Sequence, residues 1–109
     1  MSELLRDLGS LPVEVQESAR LTAGDREVMW RRADAEGAIQ ALASSGLVVL
    51  GLDVRRYLPD GRFQEAAWSA LASEHSDDAA TGCAEALAAL ARLDDVDDLD
   101  GYDWVLVTW

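Results

Sequence analysis

Gly46-Leu47-Val48-Val49-Leu50-Gly51-Leu52-Asp53-Val54 is the stretch that decides the fold. Its nearly unbroken run of β-branched and large apolar residues predicts a strand over Leu47 to Val54, buried on both faces. Gly46 stands where a left-handed cap ends a helix. It predicts one from about Asp34 to Ser45, whose inner face is Ala35, Ala38, Ile39 and Leu42. Beyond the strand, Pro59-Asp60-Gly61 is a turn signal: proline fixes one backbone angle and glycine takes the positive one. The chain then returns as a second strand from about Arg62 to Trp68, paired with the first as a hairpin.

Further on, Ser73 to Thr81 is polar, and Asp77 or Asp78 can cap a helix from about Ala79 to Arg92. Cys83, Leu87 and Leu90 form its apolar stripe, with alanine at most other positions. An acidic stretch, Asp94-Asp95-Val96-Asp97-Asp98-Leu99-Asp100-Gly101, leads into a terminal strand over Tyr102 to Trp109. Alternation turns Trp104, Leu106 and Thr108 one way, and Val105, Val107 and Trp109 the other. Towards the start, Val28-Met29-Trp30 is a short apolar run. Residues 1–24 read as an N-terminal helical segment, one short helix ending at Gly9 and a second from Pro12 to about Leu21. Val13, Val15 and Leu21 serve a strand almost as well, and that alternative stays open. Helix, hairpin, helix and strand in this order predict an α/β (α+β) protein, a two-layer sandwich of helices on a small mixed β-sheet, with residues 1–109 as a single domain.

Charge narrows the function. The 109 residues carry 21 acidic against nine basic side chains, a formal net charge of -12, and every basic one is arginine. Phosphate backbones and anionic membranes are bound by clustered cations, so nucleic acid and membrane surfaces are disfavoured. A basic protein partner is favoured, because an acidic surface speeds encounter with a cationic one. Acidity also keeps a small protein soluble, and charge alone leaves both explanations standing. Cys83 is the single cysteine, so an internal disulfide is excluded. The first residues carry no basic run followed by a long apolar stretch, and a cytoplasmic location is the expectation.

Catalytic and ligand-binding patterns fail at named positions. With Gly101 as the glycine of a calcium loop, the alternate ligands fall on Asp100, Asp98 and Val96, and the closing glutamate falls on Val107. His75 is the only histidine, and Cys83 on an inward helical stripe is expected to be a buried, inert thiol. Gly51 stands alone in a strand, not in a phosphate-cradling loop. The expectations are therefore no enzyme, no catalytic residues, no metal and no cofactor. A glycine and a carboxylate interrupt the buried strand at Gly51 and Asp53, which marks either a structural need or a partner contact. Of the four tryptophans, Trp30, Trp104 and Trp109 follow apolar runs and are core candidates, whereas Trp68, among alanine and serine, is a candidate exposed anchor.

Trp30, the helix through Ala38-Ile39-Gln40-Ala41-Leu42, the strand from Gly46 to Val54 and Asp60-Gly61 together resemble a family of small immunity proteins of bacterial polymorphic toxin systems. In that family a tryptophan and a helix lead into a strand ending Gly-Gly-Asp-Val. A second strand with an Asn-Trp pair, a helix and a final apolar strand follow. The likeness runs from Val28 to Trp109; Leu52 replaces the second glycine, and Ala67-Trp68 stands in place of Asn-Trp. The resemblance implies a non-catalytic inhibitor that binds and neutralises a cognate toxin, a nuclease being one candidate, with Asp53 and Trp68 at the motif positions. The physical reading adds Asp95, Asp97 and Asp98 as acidic contacts to a basic toxin surface. The alternative is an acidic interaction or scaffold domain with no toxin partner.

Overall fold

The computed structural model describes residues 3–21, 27–60, 62–71, 78–96 and 101–109. In chain order the elements are α1 (Glu3–Gly9), α2 (Val13–Ser18), β1 (Arg20–Leu21), β2 (Val28–Arg31), α3 (Arg32–Ser44), β3 (Gly51–Tyr57), β4 (Phe63–Leu71), α4 (Ala79–Arg92), a 3-10 turn (Leu93–Asp95) and β5 (Trp104–Thr108). The α+β class holds. The segment with two open readings divides between them, since α2 stops at Ser18 and Arg20–Leu21 pairs with β2 as a strand.

One five-stranded sheet has the order β1-β2-β5-β3-β4. Every pairing is antiparallel, which corrects the expected mixed sheet. The cause is topological. β2 and β3, joined through α3, run the same way, but β5 lies between them; β4 and β5, joined through α4, likewise run the same way with β3 between. Each helical crossover therefore skips a strand, and no two parallel strands touch.

Helix α3 packs on β2 and β5, α4 packs on β3, and the two helices pack on each other, so both cover one face of the sheet. The predicted inner face of α3, Ala35, Ala38, Ile39 and Leu42, is fully buried. Its end is a Schellman cap: Gly46 has φ +80°, and the amides of Gly46 and Leu47 donate to the carbonyls of Ala43 and Leu42 at 2.9 and 3.0 Å. Opposite lie Val28 and Trp30 of β2, Leu52 and Val54 of β3, and Val105 and Val107 of β5. The buried Trp30 indole donates to the Val15 carbonyl at 2.9 Å, which satisfies its N–H and ties α2 to the sheet. The Trp109 indole donates to Asp7 Oδ2 at 3.0 Å and does the same for α1.

Three expectations need correction here. The apolar run at Leu47 to Leu50 is not strand; β3 begins at Gly51 and extends to Tyr57. Within the run α4 presses on Val48 and Val49, whereas Leu50 is exposed. A Cβ on Gly82 would stand 2.9 Å from the Val49 carbonyl oxygen and 3.1 Å from Val48 Cγ1. That close approach also sets which side of α4 faces in. The buried stripe is Gly82, Ala86, Ala89 and, one turn on, Leu93, while Cys83, Leu87 and Leu90 are half-buried at its flank. Small residues won the inward positions because a helix this near the sheet has no room for leucine. Cys83 is therefore not the fully buried thiol expected; it lines the open groove between α3 and α4 with Gln40, Ala43 and Leu87.

Candidate partner-binding face

The sheet face without helices carries a second, smaller apolar cluster. Strand alternation places Met29 and Arg31 of β2, Trp104 and Leu106 of β5, and Asp53 and Arg55 of β3 on it. Pairing then aligns them in rows: Arg31, Trp104 and Arg55 lie side by side across three strands, and Met29, Leu106 and Asp53 form the next row. Arg20 of β1 extends the second row beside Met29, and Ser69 of β4 closes it beside Asp53.

Met29 and Leu106 are almost completely buried although no helix covers them. The sheet curls, and side chains from its two margins close over the middle. Phe63, at the start of β4, meets the Trp104 ring edge-on with centroids 6.0 Å apart. From the opposite margin, Arg20 places its guanidinium carbon 5.6 Å from the centre of the Phe63 ring and 5.9 Å from that of Trp104. Arg31 lies closer over Trp104, at 4.8 Å. Each such contact contributes about 0.5–1 kcal/mol at an exposed position. They also seat both guanidinium groups against the rings that border the cluster. Arg20 and Arg31 are exposed, and Trp104 retains 9 % of its surface.

The residues singled out from sequence divide. Asp53 is half-buried on this face. The β3–β4 register shifts between Asp53 and Arg55: Asp53 pairs with Ser69 and Arg55 with Glu65. The backbone of Trp68 sits in the resulting bulge, adjacent to Asp53's partner, so the two motif positions come together on neighbouring strands; the Trp68 side chain lies outside the described structure. Asp95 is exposed in the 3-10 turn after α4, in the helical layer, whereas Asp53 lies on the other face of the sheet. Asp97 and Asp98 lie outside the described residues, as does His75.

Arg20, Arg31 and Phe63 carry no signal in the sequence, whereas Trp104, a core candidate, is buried in the smaller cluster as expected. Alternation in the terminal strand does separate Trp104 and Leu106 from Val105 and Val107. What sequence does not contain is the pairing of β2 with β5, which alone brings Arg31 beside Trp104.

Acidic side chains concentrate elsewhere. Glu14 and Glu17 on α2, Asp34 and Glu36 on α3, Asp78 at the start of α4 and Asp95 are all exposed in the helical layer. Asp78 caps α4: its Oδ1 accepts from the Thr81 amide at 2.7 Å and its Oδ2 from the Thr81 hydroxyl at 2.8 Å. These two bonds, the backbone one first, hold its carboxyl below the usual aspartate value. Among the described residues no group of three or more His, Cys, Asp or Glu is placed to hold a metal ion, and no helix is long and apolar enough to cross a membrane. Comparison with protein-family models, curated proteins and solved structures finds no match for this chain.

Proposed function

We propose that this protein is a cytoplasmic immunity protein that binds and neutralises a cognate bacterial toxin without catalysis, docking through the helix-free face of its sheet. The observation that carries this reading is that Asp53 lies on the face where Arg20 and Arg31 pack over Trp104, with the backbone of Trp68 in the bulge of the neighbouring strand. Tryptophan and arginine are the residues that most often supply the energetic centre of a protein interface. A sheet face held by side-chain packing also docks with little ordering cost, because its backbone is already fixed. The acidic helical layer adds long-range attraction towards a basic toxin, a nuclease being the candidate best matched by charge, since its own substrate selects for a cationic surface.

Co-expression with a toxin encoded beside this chain tests the reading. Protection of the cells and a stable complex of the purified pair are expected, and Asp53→Arg is expected to weaken both. If neither protection nor complex formation occurs, the immunity reading is wrong.

A further inference from the structure

The first two helices are held to the rest of the protein in different ways. In α2 the Val15 carbonyl accepts from the buried Trp30 indole at 2.9 Å, and the helix packs along α3. The chain just before it is pinned as well. Leu11 is buried, and the Gln16 side-chain amide donates to the Leu11 carbonyl at 2.6 Å and, more loosely, to that of Gly9 at 3.3 Å. By contrast, α1 packs broadly on no other described element. It meets the body of the protein through Leu8, which reaches the core, and through Asp7, whose Oδ2 accepts from the Trp109 indole at 3.0 Å. Between the pinned Leu11 and α1 stand Gly9 and Ser10, both exposed.

We infer that α1 is a latch: it opens as a unit about Gly9 while α2 stays docked, and its opening frees the Trp109 ring. Length makes the step all-or-none. A helix of seven residues is well below the length that persists alone in water, so α1 loses its order once it leaves the body of the protein. The latch bond is of the strong kind, an N–H donated to a carboxylate, and it joins α1 to the residue that follows β5. What it secures is Trp109, half-buried against the main core with its ring centroid 6.5 Å from that of Trp30. Trp30 keeps its own bond to Val15 in either state, so opening uncovers one tryptophan and leaves the other seated. The latch therefore sets how often the Trp109 ring, a side chain of the type that anchors protein interfaces, meets solvent. This holds whatever the protein binds on the helix-free face.

Hydrogen exchange of the isotope-labelled protein, read at each amide and at the indole N–H groups, tests the latch. In the wild type the hydrogen-bonded amides of α1 and the Trp109 indole N–H are expected to exchange together, about tenfold or more faster than the α2 amides and the Trp30 indole N–H. Asp7→Ala is expected to speed the first group about tenfold further, the loss of one hydrogen bond to a charged acceptor, and to leave the second group unchanged. Alanine favours helix more than aspartate does, so that acceleration cannot come from a weaker α1. Trp109→Phe keeps a ring but removes the donor; it is expected to speed α1 equally, and the double variant no further than either alone. Unchanged exchange of the β2, β3 and β5 amides shows that each variant folds. Equal exchange of α1 and α2 in the wild type would make them one unit and overturn the latch. Unchanged α1 exchange in Asp7→Ala, or additive acceleration in the double variant, would overturn it as well.

Discussion

Two glycines in helices separate packing from helix propensity, and alanine at each is expected to move stability in opposite directions. Gly37 is exposed in α3, and a Cβ there meets nothing within 4 Å. Gly37→Ala therefore receives the full helix preference of alanine, about 1 kcal/mol. Gly82 in α4 has the same preference to gain, but its Cβ would sit 2.9 Å from the oxygen and 3.2 Å from the nitrogen of Val49. Both are backbone atoms of a segment fixed at its end, where the Leu50 amide donates to the Thr108 carbonyl at 2.7 Å. Relief requires α4 to lift by several tenths of an ångström, loosening Ala86, Ala89 and Leu93 against the core. Overpacking of this kind costs about 1–3 kcal/mol. Set against a gain of about 1 kcal/mol, Gly82→Ala is expected to be less stable than wild type by about 1 kcal/mol, with a melting temperature lower by about 4 °C. Urea titrations followed by circular dichroism measure both variants, and an unchanged slope shows that only stability moved. If Gly82→Ala is as stable as Gly37→Ala, α4 does not ride on the Val48-Val49 backbone.

Asp78→Ala is expected to lower the melting temperature at neutral pH by uncapping α4. The folded carboxyl titrates below its unfolded value of 3.8, so its contribution is present above that value and lost as pH falls through the folded one; the difference between wild type and Asp78→Asn in urea midpoints should shrink over that acidic window and not above it. Trp30→Phe removes the indole donor to Val15 and is expected to cost about 1–2 kcal/mol, with faster amide exchange in α2 than in α3, whereas uniform loosening would refute a local tether. Replacing Asp95, Asp97 and Asp98 by asparagine should slow association with a basic toxin and flatten its salt dependence; an unchanged rate at low salt removes this segment from steering.

What sequence revealed depended on how local each signal was. Helix α3 and its Gly46 cap, helix α4 with its capping aspartate, the hairpin and the two faces of β5 are written in short-range spacing, and all were legible. The start of β3 was not, because an apolar run reports burial without saying whether a strand or a helix does the covering. The inward side of α4 was misread for a related reason: leucine marks the more hydrophobic side, but closeness of packing chose glycine and alanine. Non-local pairing was invisible altogether. The arginine and tryptophan face is assembled from β1, β2, β5 and the start of β4, and no spacing along the chain forecasts that those strands meet.

The central position of β5 has a consequence for how the molecule comes into being. Until Trp104–Thr108 is made, β2 and β3 have no shared neighbour in the sheet, and α3 with β2 meets the β3–β4 hairpin only through α4. Pairing across that distance is slow compared with forming a helix or a hairpin, and it is the step that joins them. During synthesis the sheet therefore stays open between β2 and β3 until β5 leaves the ribosome. The arginine and tryptophan face, which needs Trp104, comes into existence at that same moment, so a chain cut short before β5 lacks both the closed sheet and that face.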